Sequence, residues 1–305
     1  MIIDAHNHPD WHEHNLERFL ENMDHFGIDK TWLLSWECPT DEYSPGFNHA
    51  VPLCVAHSSP YSISGIGPIP FEKCLEYKRL APERFILGYA PDPRRPDAID
   101  KLKSAVNIYG VQVCGEVKLR MMYDNPDAVR MFRYCGEAGL PVTLHFDNDS
   151  ATKTGVNYPR PSYWYGGDIY TLERLLKLCP ETKFLGHAPG FWCHISNDDL
   201  GWTTPYPKGP VVPGGKIEVM LEKYPNLYCD ISAGSGAFAL GRDLEYTKNL
   251  FIRFQDRILF ARDYFDNLHL PLIRSLELPK EVEEKILYKN AEAILPPVRP
   301  HKNFF

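Results

Sequence analysis

Short apolar segments recur along the chain and alternate with stretches of helical spacing. The first eight residues form one such segment, and it closes on two histidines. Seven further segments are rich in Ile, Val, Leu, Phe and Tyr: 28–36, 84–90, 111–119, 140–146, 182–187, 226–231 and 257–260. Between them, apolar residues three and four apart predict helices, for example over 16–26 and 172–178. The pattern therefore predicts eight strands, each followed by helical sequence.

This alternation is typical of a parallel sheet, and eight units in 305 residues predict a (β/α)8 TIM barrel forming a single domain over residues 1–305. A doubly wound open sheet is the structural alternative. Its dinucleotide-binding form loses support because no Gly-x-Gly-x-x-Gly follows a predicted strand. The connections 37–70, 146–168 and 188–215 are too long for plain turns and predict decorated, functional loops.

Composition narrows the class of partner. A net charge of −7 without a cluster of Lys and Arg argues against nucleic acid. The sequence shows neither a basic-then-apolar leader nor an apolar run near the roughly 18 residues of a membrane span, which favours a cytoplasmic protein with no membrane partner. Eight cysteines without a Cys-x-x-Cys motif indicate reduced core thiols. The expected partner is a small molecule, and the oligomeric state stays open, a homo-oligomer included.

Polar side chains stand where the predicted strands end, which is where a barrel carries its chemistry. His6 and His8 are two apart on a strand, so they share a face and can bind one metal ion. Later strands end in further polar residues: Glu116, Lys118, Arg120, His145, Asp147, His187, Asp230, Ser232 and Asp263. A second His-x-His pair, His12 and His14, lies outside a strand and is expected to be a solvated turn.

The order of these strand ends resembles that of the amidohydrolase superfamily. Within it, the chain is similar to the amidohydrolase-related branch that includes aminocarboxymuconate-semialdehyde decarboxylase and the dicarboxylate lactonases. The motifs are DAHNH at the N-terminus, LHFD around His145, GHAPG around His187, the aspartate at 263, and the asparagine-alanine segment 289–295. The chain departs from the pattern at Arg262, where the family usually has a small residue before the aspartate.

The resemblance implies a metal-dependent enzyme with His6, His8, His145 and Asp263 as ligands of one divalent ion. Three imidazoles and a carboxylate suit Zn²⁺ best, and also Mn²⁺, Fe²⁺ or Co²⁺. By the same resemblance, Asp263 carries the proton between water and the leaving group. His187 stays off the metal and holds the water or polarises the reacting carbonyl.

The polar residues of strand four and the loop aromatics allow several interpretations. Binuclear members of the superfamily bridge two metals with a carboxylated lysine or a glutamate from this strand. The favoured alternative is that Glu116 pairs with a basic group near the site while Lys118 or Arg120 binds a substrate carboxylate; an internal salt bridge is the simplest. The loop aromatics are Tyr163, Trp164, Tyr165, Phe191 and Trp192. They could cover a planar substrate, with Trp192 contacting it, or merely pin the loops to the barrel.

Three functions remain in competition. The leading hypothesis is a metal-dependent hydrolase in which activated water attacks a lactone, amide or ester carbonyl of a small molecule. The runner-up is a metal-dependent non-oxidative decarboxylase of a small unsaturated or aromatic carboxylate, using the same ligands. A metal-containing binding protein without turnover has no positive support in the sequence.

Overall fold

The computed structural model describes residues 1–39, 42, 68–147 and 165–298. Within these residues it contains eight strands: β1 (Ile3–Asn7), β2 (Lys30–Leu33), β3 (Phe85–Leu87), β4 (Cys114–Val117), β5 (Val142–His145), β6 (Phe184–His187), β7 (Leu227–Asp230) and β8 (Ile258–Leu259). Each lies inside one of the apolar segments, so all eight predicted strands are confirmed. The single-domain interpretation of residues 1–305 stays a prediction.

Helices follow the strands, as the spacing predicts. They are α1 (Leu16–Phe26), α2 (Phe71–Leu80), α3 (Ala98–Tyr109), α4 (Pro126–Ala138), α5 (Ile169–Leu178), α6 (Pro189–Trp192), α7 (Lys216–Lys223), α8 (Ala233–Gly241), α9 (Leu244–Arg253), α10 (His269–Ser275), α11 (Lys280–Glu284) and α12 (Asn290–Ala293). A 3-10 turn covers Leu200–Trp202, and a π-helical turn at Lys285–Lys289 joins α11 to α12. In the described part of the chain, no helix has the length and apolarity needed to cross a bilayer.

The strands pair in parallel and in sequence order, β1 to β3 in one group and β4 to β8 in another. Backbone hydrogen bonds join the two groups at both edges. Tyr89 N donates to Val113 O at 3.0 Å beyond β3, and Ala5 N donates to Phe260 O at 3.0 Å between β1 and β8. Because both edges are bonded, the structure is the predicted TIM barrel and not an open sheet.

Each face of the strands packs in its own apolar layer. The larger layer packs one face of the strands against the surrounding helices. The ring of Phe19 on α1 lies 5.3 Å from that of Phe85 on β3, and the ring of Phe132 on α4 lies 5.5 Å from that of Phe184 on β6. A smaller layer joins the opposite face, through residues such as Leu185 and Ala261, to the C-terminal helix. Asn290 fixes that helix because its amide donates to Gln255 O at 2.7 Å and to Ile258 O at 2.8 Å.

Two strands each contain one extra residue relative to the strand they pair with: β1, which pairs with β2, and β4, which pairs with β5. Along β1 the partners advance from Asp4↔Thr31 to Asn7↔Leu33, three steps against two. Along β4 they advance from Cys114↔Val142 to Val117↔Leu144 in the same way. An inserted residue of this kind is a β-bulge, which changes the direction of the side chains beyond it. Both bulges occur at the polar residues near the ends of the strands.

The loop 188–215 is anchored to the barrel wall. Phe191 and Trp192 are 0% and 1% exposed, and the indole N–H of Trp192 donates to Asp230 O at 3.0 Å. This placement supports the pinning interpretation for these two aromatics, because a buried indole whose N–H is already bonded offers little to a substrate. Most of the other two long connections, with Tyr163 and Trp164, lies outside the described residues.

Candidate active site

Three side chains, from the end of β1 and from the segment after β8, form one group at the mouth of the barrel. The Nε2 atoms of His6 and His8 are 3.3 Å apart. Asp263 Oδ1 lies 3.7 Å from His6 Nε2 and 3.4 Å from His8 Nε2. Two nitrogens and one oxygen thus converge on a common point, and we call these residues the first group.

A second group comes from β5 and β6, which are paired directly so that His145 is opposite His187. Their rings lie 5.2 Å apart. Both face the carboxylate of Glu116: Oε1 lies 2.6 Å from His145 Nδ1 and 3.6 Å from His187 Nε2. The second group therefore consists of two imidazoles at one oxygen of Glu116.

The other oxygen of Glu116 faces the first group. Oε2 lies 3.5 Å from His8 Nε2 and 3.9 Å from His6 Nε2. Among the described residues, three sets of three donors lie close enough to share an ion: His6, His8 and Glu116; His6, His187 and Asp263; Glu116, His145 and His187. None of these sets combines His145 with the pair on β1. The carboxylate of Glu116 thus stands between two groups of donors, and His187 borders both, since its ring is 4.5 Å from that of His6.

Buried partners orient the imidazoles from behind. His6 donates from Nδ1 to Asp230 Oδ2 at 2.6 Å, and His8 donates from Nδ1 to Leu34 O at 2.8 Å. Each bond leaves Nε2 directed at the mouth. His187 Nδ1 shares a hydrogen bond of 2.8 Å with the hydroxyl of Ser232. Partners of this kind fix ring orientation and tautomer in metal sites.

Electrostatics differs between the groups. Burial alone would lower the pKa of His6, but the charges of Asp230, Asp263 and Glu116 outweigh it and raise the pKa to about 10. The pKa of His8 is raised in the same way, against burial, by its hydrogen bonds to Asp263 and Glu116. Carboxylates therefore draw positive charge into the first group.

In the second group, burial is the main cause of the pKa shifts, and it lowers both pKa values. It lowers the pKa of His187 well below the usual value, and burial with the positive charge of Lys118 lowers the pKa of His145. The pKa values of Glu116 and Asp263 are lowered, despite burial, by the cationic and imidazole groups around them. Ionised carboxylates consequently face neutral imidazoles in this half of the site.

The donor set suits a divalent metal. Four imidazoles and two carboxylates at the mouth provide the nitrogen and oxygen ligands that Zn²⁺, Mn²⁺ and Fe²⁺ accept. Glu116 and Asp263, together with the nearby Asp230, are almost fully buried, with 8% exposure at most. Buried carboxylates require compensating positive charge, and the raised pKa values of His6 and His8 reflect that requirement. A dication would supply the same charge.

Cations lie beside the donors. The ammonium of Lys118 lies over the rings of Trp36 and Tyr165, 5.5 Å and 5.7 Å from their centres, and Arg120 lies 6.0 Å from the centre of Tyr165. The charge of Glu116 outweighs burial and raises the pKa of Lys118. Since the ring of Tyr165 is also 5.3 Å from that of His145, these cations border the second group.

The second His-x-His pair forms a tight turn, in which His14 N donates to Trp11 O at 2.9 Å. His12 and Glu13 both have positive φ, 44° and 62°. The turn is only partly solvated, because Trp11 is buried with its ring 5.3 Å from that of His8. It therefore packs against the site, although neither of its histidines joins a donor set among the described residues.

Sequence reasoning noticed Asp230 and Ser232 as polar residues at the end of β7 and gave them no role. The structure places both behind imidazoles. Their spacing by two at the end of a strand was the available signal.

The family model described as Amidohydrolase matches residues 72–296 of the chain. No curated protein matches the sequence. Among solved structures, an uncharacterized TIM-barrel protein from Bordetella bronchiseptica is 17% identical, with a TM-score of 0.62 over 96% of this chain and 97% of that one.

Two enzyme structures are similar as well. A dihydroxybenzoic acid decarboxylase from Polaromonas, with bound manganese and the inhibitor 2-nitroresorcinol, is 17% identical, with a TM-score of 0.56 over 91% of this chain and 85% of that one. A protein from Pseudomonas putida described as a 2-pyrone-4,6-dicarboxylic acid hydrolase is 11% identical, with a TM-score of 0.57 over 96% of both chains. At these identities the likeness shows the fold alone.

Proposed function

The chain belongs to the amidohydrolase family, whose members are metal-dependent enzymes, and from that premise we propose that it hydrolyses a lactone, amide or ester of a small carboxylated molecule. The observation that carries the proposal is the position of Glu116. Its two oxygens face separate groups of imidazoles, 3.5 Å from His8 on one side and 2.6 Å from His145 on the other.

The sequence led us to expect one metal held by His6, His8, His145 and Asp263. Because His145 lies against Glu116 and outside the first group, we propose that the site has ligands for two ions. His6, His8 and Asp263 would hold one, His145 and His187 the other, and Glu116 would bridge them. Zn²⁺ remains the expected metal, with Mn²⁺, Fe²⁺ and Co²⁺ as alternatives.

A divalent ion in such a site lowers the pKa of a bound water and polarises a carbonyl oxygen. The protein contributes the remaining chemistry. Asp263 is ionised and faces the mouth, so it can accept the proton of the attacking water and return it to the leaving group. Lys118 and Arg120 would bind a carboxylate of the substrate, and their contacts with the rings of Trp36 and Tyr165 beside the donors support this role.

Decarboxylation is the second candidate. It is favoured by cations that could hold a carboxylate beside the donor groups, and a decarboxylase is among the enzymes that share the fold. The same residues would serve, with Asp263 delivering a proton to the carbon that loses carbon dioxide.

A substrate panel separates the two reactions. Purified protein loaded with Zn²⁺ or Mn²⁺ would be offered dicarboxylated lactones, their methyl esters, and aromatic and unsaturated carboxylates. Hydrolysis consumes base without releasing gas, whereas decarboxylation releases carbon dioxide. We expect base consumption with the carboxylated lactones and little with the methyl esters. Release of carbon dioxide without ring opening would replace the first candidate with the second.

Metal analysis tests the ligand assignment. We expect about two ions per wild-type chain, about one in His145→Ala, and weak binding of any ion in His6→Ala, because His6 belongs to the group with more donors. Retention of the full metal content in both variants would refute the ligand set. A single ion in the wild type, retained by His145→Ala, would refute the second group alone.

A further inference from the structure

At the bulge in β1, the backbone N–H of His6 is bonded by a side chain and not by the neighbouring strand. The first group depends on this bulge. Ile3 and Ala5 belong to the smaller apolar layer, on the face of β1 that points away from the surrounding helices, so strict alternation would turn His6 toward those helices, as it turns Asp4. The extra residue breaks the alternation, and His6 N donates instead to the carboxylate of Asp4, at 3.3 Å from Oδ1.

Arg262 binds that same carboxylate. Its backbone N–H lies 2.8 Å from Asp4 Oδ1, and its Nε lies 2.9 Å from Oδ2. Asp4 and Arg262 are 0% and 1% exposed, so each charge has lost its water and is compensated by the other. The guanidinium continues to Asn22 of α1, with Nη1 2.7 Å from Oδ1. The pair therefore ties β1, α1 and the end of β8 together.

Asp263 directly follows Arg262 in the chain, and its backbone is strained. It has a φ of 61°, in the left-handed region that non-glycine residues rarely adopt. Conformations of this kind persist where the surroundings determine them. Here Asp263 N donates to His6 O at 2.8 Å, and the amide of Asn7 donates to Tyr264 O at 3.0 Å.

From these contacts we infer that Asp4 and Arg262 form a clamp beneath the donor cluster that positions both His6 and Asp263. Asp4 accepts the hydrogen bond of the His6 backbone N–H at the bulge of β1. Arg262 holds the end of β8 so that the carboxylate of Asp263 stays 3.4 Å from His8 Nε2. Arg262 is a positioning residue, since it lies behind the site and acts through its neighbours. The inference rests on the proposed function only in taking His6 and Asp263 as metal ligands.

The test is the affinity of metal-free protein for Mn²⁺, measured from the free ion by electron paramagnetic resonance. Arg262→Met keeps much of the volume of the side chain and removes its charge and donors. We expect it to bind Mn²⁺ about 10- to 100-fold more weakly than the wild type, the range observed when residues behind metal ligands are replaced. Arg262→Lys restores one donor to Asp4 and should recover part of the loss. If Arg262→Met does not fold, the Mn²⁺ affinity of Arg262→Lys is compared with that of the wild type instead.

Arg242→Met is the matched control. Arg242 is also an almost fully buried arginine, with Nη2 2.8 Å from Asp198 Oδ2, but neither residue lies on β1 or β8. Both methionine variants should melt at lower temperature, and only Arg262→Met should weaken Mn²⁺ binding. Equal affinities for wild type and Arg262→Met, or equal losses in both variants, would overturn the clamp. A wild type that binds no Mn²⁺ overturns the proposed function and, with it, any positioning of ligands.

Discussion

The two halves of the donor cluster contain the same residue types in opposite electrostatic states. In the first, carboxylates raise the pKa of His6 and His8 although both rings are buried. In the second, burial lowers the pKa of His145 and His187. The difference does not come from the residue type, because all four are histidines at the ends of barrel strands. It comes from the charges behind and beside them.

The comparison indicates how each half would hold an ion. The first group has carboxylate charge beside and behind its rings, so it resembles a site that already contains the negative charge a dication needs. The second group has neutral rings, a lysine at its border and Glu116 as its nearest anion, 2.6 Å from His145. Asp230 and Asp263 are farther away, 3.8 Å and 3.9 Å from His187. We therefore expect the first group to bind a metal more tightly, and the second to depend on Glu116.

Replacing Glu116 should have the largest effect, because its carboxylate faces all four imidazoles, at distances from 2.6 Å to 3.9 Å. Glu116→Gln keeps the shape and removes the charge. We expect loss of the second metal, weaker binding of the first, and a fall in kcat/KM of about 1,000-fold or more, comparable to removal of a major electrostatic contributor. Metal content and kcat/KM are the measurements.

Glu173→Gln provides the control for that variant, because Glu173 lies on α5, where it bonds Tyr224 and Lys223. It should retain metal and activity. Two ions retained by Glu116→Gln would remove the basis for the bridged arrangement.

The partners behind the rings give the next largest effect and compare the halves directly. Asp230→Asn weakens the charge that orients His6, and Ser232→Ala removes the hydroxyl bonded to His187. We expect Asp230→Asn to weaken binding of the first metal about 10- to 100-fold. Ser232→Ala should weaken binding of the second metal only, and by a smaller factor, because the hydroxyl behind His187 carries no charge whereas the carboxylate behind His6 does. Titration of each metal-free variant with Zn²⁺ checks both. The same loss for both variants would contradict the difference between the halves.

The sequence predicted much of this arrangement because strand ends in a barrel converge whatever their separation in the chain. His6, His145, His187 and Asp263 could be placed at one mouth from that rule alone. The eight apolar segments were equally legible, since strands covered on both sides are continuously apolar.

The division of the donors between two groups could not be predicted. It depends on the orientation of Glu116, and a bulge in β4 sets that orientation. A bulge inserts one residue without a clear compositional signal, so alternation alone could not reveal it. Similarly, Arg262 was recognised as a departure from the family pattern, but its partner Asp4 lies at the other end of the chain. Only the closure of β8 onto β1 brings the two together.

Lys118 should affect substrate binding more than metal binding. Lys118→Met removes the cation flanked by Trp36 and Tyr165 while keeping an apolar stem. We expect KM for a carboxylated substrate to rise about 10-fold, with little change for its methyl ester, because a charge-assisted hydrogen bond is lost only with the acid. Steady-state kinetics with both substrates measures this. Lys101→Met, on α3, is the control. Equal changes with acid and ester would remove Lys118 from carboxylate recognition.

The smallest effect at neutral pH is expected at His194, which tests whether burial lowers the pKa of a histidine in this protein, as it does in the second group. His194 belongs to neither group among the described residues; it is 3% exposed, and its ring lies 4.5 Å from that of Trp202. Burial lowers its pKa from 6.5 to about 4, while Asp168 and Asp199 oppose the shift and Lys216 adds to it. Below pH 6.5 the unfolded chain therefore takes up a proton that the folded protein refuses.

The folded pKa is depressed, so the stability that His194 contributes is complete above pH 6.5 and is lost as the pH falls toward 4. The loss should reach about 3 kcal/mol. His194→Gln has no such proton to take up, so the free energy of unfolding of the wild type should fall relative to the variant across this window. Urea unfolding at several pH values, with both proteins free of metal, measures the difference. A difference that does not change with pH would mean that burial does not keep this ring neutral, and the same explanation would then fail for His187.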